Sequence, residues 1–211
     1  FLRIWNYFPE INRDCEGLER YRAFCAGRHQ ALVAELAEFE TRLPAASAIG
    51  ARGPGLQLYA LAAKASGVQI ENPRQVSAFR YPRQYGHRSP SFSRAVLKRW
   101  GGGSEHLYIS GTASIVGHAS RHGELQPQLD ETLANLDALL AEANRRAAAA
   151  LEMALLKIYL RPELDPAPLR ERIGQAFGSD VPLLFLRADI CRRELLLEIE
   201  GLAIGSAARH P

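Results

Sequence analysis

The chain has 211 residues, of which 47% are apolar and 23% are charged, and its formal net charge is +3. This composition is ordinary for a globular protein with a buried core, and the charge is too small to imply nucleic acid as a partner. No apolar run approaches the ~20 residues that span a bilayer, so no membrane association is expected. The three cysteines are odd in number and lack CxxC spacing, which argues against a disulfide framework and favours a reducing cytoplasm.

The predicted elements repeat one arrangement along the chain. Periodicity and turn signals give the order strand, helix, strand, strand over residues 2–63, and the same order over residues 154–203. The predicted bounds are strand 2–8, helix 17–40, strands 45–51, 56–63, 91–100 and 106–115, helix 128–150, strand 154–160, a helix opened by Asp165-Pro166, and strands 182–188 and 194–203.

The repeat predicts an α+β fold of two tandem units. We place the first unit in residues 1–76 and the second in residues 77–211. The second unit has further strands and a helix before its copy of the repeat, and the chain opens on Phe1 in the middle of a strand pattern. We therefore expect the first unit to be truncated at its N-terminus.

The two copies differ at one position that matters chemically. Superposing residues 58–62 on residues 199–203 places Gln57 opposite Glu198, so an amide stands where the other copy has a carboxyl. Partial burial of Glu198 in a cleft would raise its pKa and make it a general acid. The alternative is a solvent-facing row formed with Glu194 and Glu200, because alternate strand residues share a face.

Three further features are candidates for a ligand site. Residues 77–93 interleave arginine and tyrosine with proline and glycine, a composition that suits carboxylates, phosphates or single-stranded nucleic acid, and equally a solvated linker. Residues 110–114 are all small, which leaves space for a ligand beside a strand. Cys191 is either a small buried hydrophobe or a polar group at the mouth of a pocket. His118 and His122 lack a carboxylate that would complete a metal site, so no metal is predicted. The sequence contains no P-loop or GxGxxG motif, and no cofactor is predicted.

Several segments resemble known proteins. Leu107-Tyr-Ile-Ser-Gly-Thr112 and the ending Leu197-Glu-Ile-Glu-Gly-Leu-Ala203 are similar to the YjgF-like (chorismate-mutase-like) fold, in which a mixed sheet carries helices on one face. Gly17-Leu-Glu-Arg-Tyr-Arg22, Tyr81-Pro-Arg-Gln-Tyr-Gly86 and Arg88-Ser-Pro-Ser-Phe-Ser-Arg94 resemble the chorismatases, most closely those that make hydroxybenzoates. The resemblance covers nearly the whole chain.

The resemblance implies a function and assigns residues to it. The substrate would be chorismate, Glu198 the acid that protonates its enolpyruvyl ether, and Cys191 a mark of the branch that forms 3-hydroxybenzoate, with 4-hydroxybenzoate as an additional product, together with pyruvate. It assigns carboxylate and ring contacts to the loop, the first unit and the small-residue strand: Arg28, Tyr81, Arg83, Tyr85, Arg88, Ser110, Gly111, Thr112 and Ala113. It also implies a homotrimer.

Two other functions stay open from sequence. An imine deaminase of the YjgF type would anchor one carboxylate through Arg187 or Arg192, but it would leave the loop at residues 77–94 unexplained. A non-catalytic small-molecule or RNA-binding module would use Arg83 and Arg88 and would not need Glu198. Neither the ratio of the two hydroxybenzoates nor the pairing of arginines with carboxylates follows from the sequence.

Overall fold

A computed structural model describes residues 1–206 and has a mixed α+β architecture. Its helices are α1 (Arg20–Glu35), α2 (Leu125–Asn144) and α3 (Ala167–Phe177). Its strands are β1 (Arg3–Phe8), β2 (Asp14–Cys15), β3 (Leu18–Glu19), β4 (Ala45–Gly50), β5 (Gln57–Leu61), β6 (Val68–Ile70), β7 (Ala95–Arg99), β8 (Ser104–Thr112), β9 (Ile115–Val116), β10 (Ala119–Ser120), β11 (Glu152–Leu160), β12 (Leu183–Arg187) and β13 (Leu197–Ser206).

Two mixed sheets carry the fold. The smaller has the strand order β4-β1-β5 and the larger has the order β12-β11-β13-β8-β7-β6. In the smaller sheet β1 is parallel to β4 and antiparallel to β5. In the larger sheet β11 is likewise parallel to β12 and antiparallel to β13. Strand, helix, strand and strand therefore fold into the same topology twice, as the sequence predicts.

The register of the two copies supports the comparison between Gln57 and Glu198. Gln57 lies opposite Tyr7 on the neighbouring strand, and Glu198 lies opposite Tyr159. Tyr7 and Tyr159 are thus equivalent residues, and their hydroxyls are hydrogen-bonded to each other at 2.8 Å. Gln57 is exposed, whereas only 4% of Glu198 is exposed.

The main core lies between the larger sheet and the helices α2 and α3. Leu129, Leu133, Leu136 and Leu139 recur at helical spacing and give α2 a buried stripe. That stripe packs in one cluster with strand residues such as Ile199. Leu169 and Ile173 of α3 join the same cluster. The clustering of both helices with the strand residues matches the predicted unit of one mixed sheet and its helices.

Several element boundaries differ from the predicted ones, and two of the differences have clear local reasons. The helix predicted over residues 17–40 ends at Glu35, because Leu36 is extended and Glu38 adopts a left-handed conformation. The last strand begins at Leu197 rather than at residue 194, because the backbone N–H of Leu195 donates to Arg192 in a turn. Neither difference moves a candidate site residue off its element.

The larger sheet begins before the predicted unit boundary at residues 76 and 77. Residues 68–70 lie in the predicted first unit, where no strand is predicted, but they form β6 and pair antiparallel with β7 through Val68, Gln69 and Ile70. The predicted boundary therefore separates the first strand of this sheet from the rest. The two sheets also meet directly, because the Ala46 N–H donates to Ser110 Oγ at 2.8 Å. Strands β4 and β8 are consequently held side by side, and the principal cavity opens beside this contact.

Candidate active site

A cavity of about 450 Å³ lies where the first copy of the repeat meets the second. Its wall is formed by α1, by β4 and β8, by the loop before β7, and by the loop between β12 and β13. Seven of the sequence-predicted site residues line it: Arg28, Tyr81, Tyr85, Gly111, Ala113, Cys191 and Glu198. Both halves of the chain therefore contribute to one site.

Glu198 is a buried carboxyl that holds its proton near neutral pH. Burial, reinforced by the negative charge of Glu200, raises the pKa of Glu198 to about 8, although Arg3 acts in the opposite direction. The Cys191 thiol is its hydrogen-bonding partner among the described residues, with Sγ 3.9 Å from Oε2. A carboxyl with a pKa near 8 is largely protonated at pH 7, so Glu198 can donate a proton to a ligand in the cavity.

Glu200 lies on the same face of β13 but is held as an anion. Arg3 contacts its Oε2 at 2.6 Å, and the Trp5 indole donates to its Oε1 at 2.7 Å. Burial disfavours the charge, but Arg3 and Lys157, together with hydrogen bonds from Ser47 and Trp5, keep the pKa of Glu200 below its usual value. The two neighbouring carboxyls are thus in opposite protonation states. The predicted solvent-facing row of glutamates is wrong, because both side chains are buried.

Gly111 makes room for the Glu198 carboxyl. A Cβ atom added at this position would overlap Glu198 Oε1. The Gly111 N–H donates to Ser47 Oγ at 3.0 Å, which ties β8 to β4 at the floor of the cavity. A residue without a side chain is therefore needed at position 111, because the Glu198 carboxyl occupies the space that a Cβ atom would fill.

Cys191 is a neutral thiol in the cavity wall. Burial, with a further contribution from Glu198, raises the pKa of Cys191 well above that of a free cysteine. Burial likewise raises the pKa of Cys25, on the facing helix, to about 12. Because the thiolate is the nucleophilic form, neither cysteine is poised for attack. Cys191 instead shapes the space beside the acid and donates a weak hydrogen bond to it.

Two arginines in the cavity wall, the half-buried Arg28 and the buried Arg94, each have a buried nitrogen without a hydrogen-bond partner within residues 1–206. Arg28 donates from Nε to the Ser91 carbonyl at 3.1 Å, and its Nη2 is the nitrogen without a partner there. Arg94 donates from Nη2 to the Tyr81 hydroxyl at 2.6 Å, and its Nε is the nitrogen without a partner there. Buried donors without a partner are rare in folded proteins. Two guanidinium groups in one cavity wall suit an anionic ligand.

Two aromatic rings and two guanidinium groups stack along the loop side of the cavity. The Arg192 guanidinium lies 4.0 Å from the centre of the Tyr85 ring and 5.3 Å from that of Tyr81. Arg94 approaches the Tyr81 ring at 5.5 Å. Arg192 also donates to the His118 carbonyl at 3.0 Å. This stack fixes the loop that precedes β7 against the loop that carries Cys191.

Four sequence-predicted site residues are not in the cavity wall. Arg83 and Arg88 are exposed and line a second cleft of about 310 Å³, while Gln84 and Tyr85 of the short helical turn Arg83–Tyr85 line the main cavity. Ser110 and Thr112 are buried, and their hydroxyls donate to the Ser93 and Ser110 carbonyls. They support the strands around Gly111 rather than facing a ligand.

The residues that sequence reasoning missed are Arg94, Arg192 and Ser47. Arg94 belongs to the run of basic residues at 79–99, so the sequence indicates its part in a basic cluster but not the burial of its side chain. The sequence suggests Arg192 only as the carboxylate anchor of the alternative deaminase site. The other candidate anchor, Arg187, donates to the backbone carbonyls of Arg161 and Leu164 and does not line the cavity.

No group of three or more potential ligand side chains that could hold a metal ion occurs within residues 1–206. None of the helices described here is long and apolar enough to cross a membrane.

Known proteins resemble the chain over almost all of its length. Residues 1–62 match the family described as Chorismatase FkbO/Hyg5-like, N-terminal. A 3-hydroxybenzoate synthase of Streptomyces hygroscopicus is 39% identical over 215 residues, covering 96% of this chain and 63% of the relative. A chorismatase of Streptomyces rapamycinicus is 39% identical over 210 residues, covering 95% of this chain and 63% of the relative.

The fold gives the same result. The crystal structure of a chorismatase matches with a TM-score of 0.80 at 35% identity, covering 95% of this chain and 63% of the other. The chain spans about 63% of the length of these two curated relatives. In sequence and in fold, the predicted relationship of this chain to the chorismatases is confirmed.

Proposed function

We propose that the protein is a chorismatase that converts chorismate to 3-hydroxybenzoate and pyruvate, with 4-hydroxybenzoate as an additional product. The observation that carries the proposal is the position of Glu198, a buried carboxyl with a pKa of about 8 in the wall of a cavity that Arg28 and Arg94 also line. Relatives named 3-hydroxybenzoate synthase and chorismatase support the choice of substrate and product.

The first chemical step is a proton transfer from Glu198. The acid delivers its proton to the methylene carbon of the enolpyruvyl ether, which leaves an oxocarbenium-like centre at the ether carbon. The bond between the ring carbon and the ether oxygen then breaks, and its electron pair leaves with the oxygen of the departing pyruvate. Glu198 becomes a carboxylate in this step and can take up a proton again.

The second stage makes the ring aromatic without adding water. The ring hydroxyl oxygen attacks the electron-poor carbon and loses its proton, which gives an epoxide across the two ring carbons. For 3-hydroxybenzoate the bond from this oxygen to its original carbon then breaks, the oxygen takes up a proton, and the carbon that now bears it loses its hydrogen as a proton, so the ring becomes aromatic. For 4-hydroxybenzoate the oxygen stays on its original carbon, which loses its hydrogen as a proton instead. One chorismate then gives one hydroxybenzoate and one pyruvate, and the atoms balance without a water molecule. A cavity walled by Tyr81, Tyr85 and Ile115 suits this chemistry, because excluding water prevents capture by solvent.

Substrate recognition is assigned to Arg28 and Arg94. Chorismate carries two carboxylates, and these two arginines line the cavity. Guanidinium groups bind carboxylates through paired, charge-assisted hydrogen bonds. Tyr81, Tyr85, Gly111 and Ala113 form the walls against which the ring lies in this proposal. Cys191 fills the wall next to the acid.

The proposal predicts that no solvent oxygen enters the aromatic product. With chorismate in water enriched in ¹⁸O, we expect equal amounts of pyruvate and hydroxybenzoate, and unlabelled hydroxybenzoate, because the ring keeps its own oxygen. Mass spectrometry of the separated aromatic product measures the label. Labelled hydroxybenzoate, or a dihydrodiol as the main product, would contradict ring-oxygen capture. Absence of pyruvate would contradict the activity.

Arg83 and Arg88 are proposed to attract the substrate rather than to hold it during the reaction. Both line the basic second cleft, which shares Tyr81 and Ser91 with the main cavity. We expect the double change to glutamine to lower kcat/KM by about 3- to 10-fold at low salt, with kcat preserved, because exposed charges act by screened steering. Kinetics at several salt concentrations test this, with the exposed Arg170→Gln on α3 as the control. A loss that persists at high salt would instead indicate direct contact.

The location of the protein in the cytoplasm, its assembly as a homotrimer and the absence of nucleic-acid partners stay predictions from sequence and resemblance.

A further inference from the structure

Two buried carboxyls lie side by side on one face of β13 but have opposite surroundings. Glu198 and Glu200 are two residues apart, and they are 4% and 3% exposed. Side chains at this spacing lie on the same side of a strand, about 7 Å apart along it. In a buried setting two negative charges at this separation repel each other strongly. Their protonation states are therefore coupled by position.

Glu200 accepts from four donors that come from three other strands. Its Oε2 receives Arg3 and Ser47, each at 2.6 Å, and its Oε1 receives Trp5 at 2.7 Å and lies 3.1 Å from Lys157 Nζ. Arginine, lysine and the tryptophan indole can only donate. A proton on either oxygen would meet a donor, so this geometry is compatible only with the ionised carboxylate.

Glu198 faces a different set of groups. From α1 Tyr21 interacts with it electrostatically, and burial raises the pKa of Tyr21. Cys191 comes from the loop before β13. Arg3 and Arg94 are the cations that lower the pKa of Glu198, but among the described residues neither forms an ion pair with it. The charged form of Glu198 thus has little compensation, while the fixed charge of Glu200 opposes it.

We propose that Glu200 is a positioning residue for the acid: a permanently ionised carboxylate that keeps its neighbour Glu198 protonated. The proposal rests on the proposed role of Glu198 as the acid. It gives the first copy of the repeat a chemical purpose, because Arg3, Trp5 and Ser47 all belong to β1 and β4. The first copy, which has Gln57 in place of the acid, thus supplies three of the four donors around Glu200. These donors keep Glu200 ionised beside Glu198 in the second copy.

The sign of the effect can be tested with a pair of changes. Glu198 is active as an acid below its pKa, so kcat/KM falls as pH rises through about 8. Glu200→Gln removes the opposing charge and leaves Arg3 uncompensated. We therefore expect the falling limb to move to lower pH by about one unit or more, with activity retained well below that limb. Lys157→Met removes a cation that offsets the negative charge of Glu200. We therefore expect the falling limb of the pH profile to move to higher pH.

A second measurement does not need turnover. The carbonyl stretch of a protonated carboxyl, followed by infrared spectroscopy against pH and assigned to Glu198 by its loss in Glu198→Gln, reports the same pKa directly. A downward shift in Glu200→Gln and an upward shift in Lys157→Met would support the proposal. Unchanged titration in either variant, with activity reduced equally at every pH, would show that Glu200 is only structural.

If the protein releases no pyruvate, the proposed reaction fails while the infrared titration still decides the coupling. If Glu200→Gln does not fold, Lys157→Met, whose lysine is partly exposed, decides it alone.

Discussion

Glu198→Gln is expected to lower kcat for pyruvate release at pH 7 by about 10²- to 10⁴-fold, the contribution typical of general acid catalysis. Glutamine keeps the shape of the side chain but has no proton acidic enough to transfer to the methylene carbon. Burial raises the pKa of Glu198 to about 8, and the carboxyl is therefore largely protonated at this pH. A coupled pyruvate assay under saturating chorismate measures the loss.

The matched control is Glu152→Gln at the exposed start of β11, outside both cavities. It makes the same chemical change on a strand of the same sheet and should leave kcat unchanged. Binding of chorismate, measured by calorimetry, should also persist in Glu198→Gln, because the arginines are untouched. Full activity of Glu198→Gln would rule out the assigned acid and make another proton source necessary.

Gly111→Ala is expected to lower kcat by about 10²-fold without unfolding the protein. The added Cβ would occupy the position of Glu198 Oε1, so the carboxyl must rotate away from the place where it delivers its proton. A displacement of the order of 1 Å at a reacting group costs about this much in rate. Overpacking of this kind costs about 1–3 kcal/mol of stability. Steady-state kinetics and thermal unfolding together separate the two effects.

Gly123→Ala provides the control, since a Cβ at that exposed position meets no atom within 4 Å. It should behave like the unchanged protein in both measurements. If Gly111→Ala kept its full kcat, the carboxyl would have another productive position. The tight contact between β8 and the acid would then have no catalytic meaning.

The internal repeat and its single carboxyl could be predicted from the sequence because both depend on local order. Strand and helix patterns are properties of short segments, and superposing two such segments was enough to set Gln57 against Glu198. The structure supports that alignment through the register of Tyr7 and Tyr159. Only the burial of Glu198 remained open, because alternation along a strand does not say which face is covered.

The arginines show what could not be predicted. The loop before β7 contains several, and the sequence prediction chose Arg83 and Arg88, yet Arg94 is the one whose side chain is buried against Tyr81. Arg94 turns inward because its Nη2 donates to the Val76 carbonyl and to the Tyr81 hydroxyl, contacts that bring together residues 18 and 13 positions apart. Strand β6 was missed for the same reason, since three residues form a strand there only through pairing with β7.

The hydrogen bond between Tyr7 and Tyr159 joins two equivalent residues of the repeat. Equivalent atoms can touch only where they lie beside the axis that relates the two copies. A hydroxyl pair at such an axis cannot itself be symmetric, because one oxygen must donate the shared proton and the other must accept it. The two halves of the scaffold are therefore obliged to differ at their point of contact. Each tyrosine stands opposite the position, Gln57 or Glu198, at which the copies have diverged.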